Sequence, residues 1–87
     1  MKRRVIWDLP AVEQLLLLAR IDREAAARVL ATVKRYGAEG SGDIKKLQGR
    51  AGDWRLRSGD WRVILGSAPE LNAVHIMAIL NRRDAYD

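Results

Sequence analysis

Cysteine is absent from the 87 residues, and histidine occurs once. The first absence excludes a disulfide framework, a thiolate metal site and a thiol nucleophile. Together they leave no ligand set for a structural zinc ion, so neither a metal nor a cofactor is expected. Long apolar runs are missing too. Runs such as Leu15 to Ala19 fall far short of the roughly 20 residues a bilayer span needs, so no membrane-spanning role is expected. Lys2-Arg3-Arg4 looks like the basic start of a signal peptide, but Asp8, Pro10 and Glu13 interrupt the next stretch and no cleavage site appears. A cytosolic location is expected. Acidic residues are in deficit, eleven against sixteen Lys and Arg, which leaves a net charge of +5. That excess points to polyanionic partners without choosing among nucleic acid, membrane and acidic protein. The length suits one domain, residues 1–87, with a single modest core.

What is present concentrates between Asp53 and Arg62, Asp-Trp-Arg-Leu-Arg-Ser-Gly-Asp-Trp-Arg. Apolar and cationic residues alternate on both sides of Ser58-Gly59, the pattern of a β-hairpin. A two-residue turn at Ser58-Gly59 predicts that Arg57 faces Asp60, Leu56 faces Trp61, Arg55 faces Arg62 and Trp54 faces Val63. One sheet face then carries Trp54, Leu56, Trp61, Val63 and Leu65, and the other carries Arg55, Arg57 and Arg62. Arginines on an exposed strand face can simply maintain solubility and discourage edge pairing. Opposed like charges cost stability, however, and three arginines gathered on one face suggest an anion that belongs between them.

Around the hairpin, Arg3 to Trp7 reads as a first strand. Asp8 as N-cap and Pro10 in the first turn open a helix over about 9–20, with Val12, Leu15, Leu16 and Ala19 at helical spacing. Asp22 caps a second helix, in which Ala26, Val29, Leu30 and Val33 repeat the pattern and Gly37 supplies the terminating glycine after a basic last turn of Lys34 and Arg35. The short connection forces a helical hairpin. Gly37 to Asp43 reads as loop, and Ile44 to Arg50 as a basic approach to the hairpin strands, 53–57 and 60–66. Ala68 to Asn72, with Pro69, forms a turn. Val74 to Leu80, apolar on both faces, reads as a central strand covered on both sides. The order βααβββ predicts an α+β domain: a helical hairpin on one face of a mainly antiparallel four-stranded sheet.

The helical hairpin, Lys46-Leu47-Gln48-Gly49, the segment Trp54-Arg55-Leu56-Arg57-x-Gly59-Asp60-Trp61-Arg62-Val63-Ile64 and the closing Asn81-Arg82-Arg83-Asp84-Ala85-Tyr86 together resemble the RelE/ParE toxin superfamily of type II toxin–antitoxin modules. The resemblance covers nearly the whole chain and is closer to the RelE branch, whose members cut mRNA on the ribosome and so inhibit translation. It implies a RelE-like fold, an endoribonuclease activity, a cognate antitoxin, and the ribosome and mRNA as further partners. It also implies catalytic roles for Arg55 and Arg57 on the second strand, Arg62 on the third, Arg82 after the fourth and Tyr86 near the C-terminus. Departures exist: lysines common on the second strand of relatives are arginines here, Asp53 stands where a further basic residue is expected, and the tail is short. The competing expectations are a ParE-like inhibitor of DNA gyrase, which would not need these residues as an active site, and a non-catalytic toxin-like binding module.

The chemistry is coherent on its own terms. Metal-free RNA cleavage has the 2′-hydroxyl attack its own adjacent phosphate, which requires a proton acceptor, stabilisation of the phosphorane and help for the leaving 5′-oxygen. Arginine meets the second need, being always charged and carrying a fork of donors that matches phosphate. It cannot serve as base, since its pKa exceeds about 12. Tyr86 can titrate, with an unperturbed pKa of about 10 that neighbouring cations would lower. The expected assignment has Tyr86 accept the 2′-hydroxyl proton while Arg62 and Arg82 hold the phosphate and Arg55 or Arg57 stabilises the phosphorane or leaving oxygen. Lys45, Lys46, Arg50 and Arg83 are candidates for RNA backbone contacts. His75 reads as a packed or partly exposed strand residue, Asp8 and Pro10 as helix-start signals, and Trp7, Tyr36, Trp54 and Trp61 as core.

Overall fold

The computed structural model describes residues 2–49 and 52–81. Strand β1 (Arg4–Trp7) leads into helices α1 (Leu9–Ile21) and α2 (Arg23–Glu39). Four more strands follow among the described residues, β2 (Asp43–Lys46), β3 (Asp53–Ser58), β4 (Trp61–Ala68) and β5 (Ala73–Asn81), with a 3₁₀ turn at Pro69–Leu71 before the last. They build one five-stranded sheet in the order β1-β5-β4-β3-β2. β1 lies parallel to β5, and the other three pairings are antiparallel.

The α+β class and the helical hairpin on one face agree with the sequence; the strand count is five instead of four. The added strand is β2, expected as the end of a loop at Asp43 followed by a basic approach to the hairpin. It lies at the sheet edge and contributes a single half-buried side chain, Ile44, between exposed neighbours. A short edge strand of this kind needs almost no apolar pattern, and its lysines discourage further pairing.

One residue, Asp22, separates the helices and serves both. Its N–H donates to the Leu18 carbonyl at 2.7 Å, and its Oδ1 accepts the Ala25 N–H at 3.1 Å. Asp8 behaves differently. Its carbonyl accepts from Ala11 and Val12, which starts α1, but its carboxylate makes no cap bond.

Gly37 does not end α2, contrary to expectation. The helix runs on to Glu39 and closes on Gly40, whose φ of +73° suits glycine and whose N–H donates to the Tyr36 carbonyl at 2.7 Å. Gly37 is instead a buried contact point with the segment leading into β1. Its carbonyl accepts the Arg3 N–H at 2.7 Å, and an added β-carbon would lie 2.6 Å from Val5 Cγ2. Gly37→Ala is therefore expected to destabilise the protein despite alanine's helix preference. That preference is worth about 1 kcal/mol, against about 1–3 kcal/mol for overpacking a tight site. A urea melt measures the balance.

The core lies between the helices and one sheet face, where Leu18, Val29, Val33, Leu56, Val63, Leu65, Val74 and Ile76 meet. Trp54 and Trp61 are half-buried against it. β1 pairs with β5 only as far as Ile76, and α1 covers the part of β5 beyond it, with Gln14 Oε1 accepting the Ile79 N–H at 2.7 Å. No described helix packs on the other sheet face. On that other face of β5, His75, Ala78 and Leu80 are half-buried.

Candidate nucleic-acid interface

The hairpin places its arginines on the face opposite the helices, as alternation predicts, but in a different register. The loop residues are Gly59 and Asp60, and the opposed pairs are Ser58 with Trp61, Arg57 with Arg62, Leu56 with Val63, Arg55 with Ile64 and Trp54 with Leu65. The cause lies at Ser58. Its hydroxyl is buried against Thr32 Oγ1 of α2 at 3.1 Å, which makes it a strand residue. Gly59, with φ of +60°, then takes the first central turn position and Asp60 the second, as in a type II′ turn. The pairing moves by two residues, so every side chain keeps its face.

This register sharpens the charge pattern. Arg57 lies directly opposite Arg62, and Arg55 lies opposite Lys45 of β2 on one side and Ile64 on the other. Four cations form two opposed like-charge pairs, with Asp43 opposite Arg57 on its other side. Arg57 Nε and Arg62 Nη1 each lie 3.3 Å from the Gly59 carbonyl oxygen, so both guanidiniums converge on the hairpin tip. Arg62 is 6% exposed and Arg57 is open to solvent. Arg55, 7% exposed, reaches toward β2, where its Nη1 lies 3.2 Å from Asp43 Oδ1. Sequence reasoning missed Asp43, which shares this face because it is in register with Arg57.

The other candidates divide clearly. Lys45 joins the arginines, whereas Lys46 pairs with Trp54 and so belongs to the opposite face. Arg50, Arg82, Arg83 and Tyr86 lie outside the described residues. β5 neighbours β4, with Leu80 opposite Arg62 and Asn81 opposite Trp61, so the strand ends beside the Arg57–Arg62 row. His75, expected as an ordinary strand residue, has its Nδ1 3.0 Å from Asp8 Oδ2. Among the described residues no cluster of His, Cys, Asp or Glu is placed to hold a metal ion, and no helix is long and apolar enough to cross a membrane.

No protein-family model and no curated protein matches the chain. Solved structures do. The archaeal RelE–RelB complex from Pyrococcus horikoshii OT3 aligns at 25% identity with a TM-score of 0.75, over 98% of this chain and 100% of that one. The toxin–antitoxin complex RelBE2 from Mycobacterium tuberculosis aligns at 21% identity with a TM-score of 0.78, over 97% and 95%. The YoeB/ParE toxin from Agrobacterium tumefaciens aligns at 15% identity with a TM-score of 0.73, over 90% and 96%. This chain has the RelE/ParE toxin fold. Within the RelE/ParE fold, the strands that the sequence suggests as second and third are β3 and β4, displaced in number by the extra edge strand β2. Arg55, Arg57 and Arg62 thus sit on adjacent central strands of the RelE/ParE sheet, on the face away from both helices.

Proposed function

We propose that this protein is the toxin of a type II toxin–antitoxin pair and acts as a ribosome-dependent mRNA endoribonuclease. The observation that carries the proposal is the Arg57–Arg62 pair, directly opposed and converging on one carbonyl, on the sheet face away from both helices of a RelE/ParE fold. A phosphate between the two guanidiniums would make their opposition a two-sided clamp.

In this mechanism Arg62 and Arg57 hold the scissile phosphate and stabilise the phosphorane, and Arg82 supplies a further donor. Tyr86 accepts the 2′-hydroxyl proton. Arg55, held by Asp43, and Lys45 guide the RNA backbone along the second cationic row. The neutralising partner is a cognate antitoxin, in keeping with the RelE–RelB and RelBE2 complexes among the structural neighbours. RNA affinity is expected to fall steeply with salt, with a log–log slope of about −0.7 per phosphate contacted; an anisotropy titration between low and physiological salt measures it.

Brief expression in a bacterial host with parallel amino-acid and thymidine pulse labelling tests the proposal. The expected result is an immediate fall in protein synthesis while DNA synthesis continues. A fall in DNA synthesis first, with broken chromosomes, would indicate the gyrase-directed alternative, and normal growth a non-catalytic module.

A further inference from the structure

The same sheet face carries a second constellation, about 13 Å along β4 from Arg62, given the rise of an extended strand. Arg62, Ile64 and Gly66 share this face, and Gly66 is in register with His75 of β5. The His75 ring is anchored at Nδ1 by Asp8 and is 33% exposed as a side chain. Its other nitrogen lies over Gly66: a β-carbon there would sit 2.5 Å from His75 Nε2. Glycine inside a strand often marks a place where something approaches the backbone closely, and here the imidazole occupies the space.

The anchoring residue departs from its local role. Asp8 stands at the N-cap of α1, where its carboxylate would ordinarily bond an N–H of the first turn, yet it makes no such bond and is turned to His75. Departures from a local rule concentrate where function requires them. The result is an imidazole fixed in orientation, partly open, and on the same surface as the arginine rows. Histidine is among the side chains on which unstacked RNA bases rest.

We infer that His75, positioned by Asp8 and Gly66, is a second RNA subsite that receives the base of a nucleotide a few positions along the strand from the one held at Arg57 and Arg62. The span is the reach of a few nucleotides, since stacked ones succeed one another at about 3.4 Å. Ile64, 2% exposed, and half-buried Ala78 fill the intervening row, and neither carries a charge. The inference rests on the proposal that the arginines bind RNA, and it assigns His75 to substrate positioning, not to proton transfer.

The chain's single histidine makes the test specific, because its ring gives one set of nitrogen-correlated NMR signals. The probes are a non-cleavable 2′-O-methyl uridine dinucleotide and the corresponding hexanucleotide, each titrated into the full chain. Both are expected to shift the side-chain signals of Arg57 and Arg62, and the hexanucleotide alone to shift those of His75. His75→Ala is expected to weaken hexanucleotide binding about tenfold, in line with the loss of one stacked base, and to leave dinucleotide binding unchanged. His75→Phe, which keeps a flat ring, is expected to restore most of the loss; Gly66→Ala, which displaces the ring, is expected to copy His75→Ala. A purely structural Asp8–His75 pair would give no dependence on probe length. Arginine shifts with an unmoved His75 ring, or equal loss for both probes in His75→Ala, would overturn the subsite. Unmoved arginines would instead overturn the RNA reading on which it rests.

Discussion

The double variant Arg57→Gln/Arg62→Met is expected to lose RNA cleavage by at least two orders of magnitude while remaining folded. The activity loss comes from removing charged donors aimed at a developing phosphorane; loss of one such donor typically costs about 10²–10³ in rate. The variant relieves an opposed like-charge pair but also removes the Arg62 bonds to the Gly59 and Trp61 carbonyls and the Arg57 charge opposite Asp43. The fold should therefore persist with a modest change in melting temperature. Methionine at 62 keeps an apolar stem in a position only 6% exposed, where alanine would remove packing along with charge. Arg62→Lys is the informative intermediate. It preserves the charge but not the planar fork, and should fall between wild type and the double variant. Cleavage rates and a thermal melt on the same preparations separate the two roles. Arginines kept only for solubility would show the reverse pattern, with activity intact.

The second large effect concerns stability. Leu56→Ala should cost about 2–5 kcal/mol, the range for truncating a buried leucine. In a domain of this size that lowers the melting temperature by roughly 8–40 °C, at about 4–8 °C per kcal/mol. Leu56 has no exposed surface, stands in register between Ile44 and Val63, and lies beneath Gly42, where an added β-carbon would approach its Cδ1 to 2.8 Å. These close neighbours leave little freedom to collapse into the space. Leu17→Ala, at an exposed position on α1, is the control and should change the melting temperature little.

The faces of the hairpin are legible in the sequence because alternation fixes them in any register that differs by two residues. The register itself is not. Ser58-Gly59 and Gly59-Asp60 are both plausible two-residue turns, and the choice between them is made by the buried Ser58–Thr32 contact with α2. That choice decides whether Arg55 or Arg57 stands opposite Arg62, and hence where the clamp lies. Gly37 reads as a helix stop because a terminating glycine and a close-packing glycine look alike until the neighbouring chain is in place. β2 escapes notice because one side chain, Ile44, carries its packing. Asp8 and His75 are 67 positions apart, so their pairing arises from the parallel contact of β1 with β5 and from nothing local.

The most direct test is primer extension on a translated mRNA after brief expression, wild type beside Arg57→Gln/Arg62→Met. The expected result is new breaks inside translated codons with the wild type and none with the variant. Growth arrest with the mRNA intact, and equally strong in the variant, would contradict the account.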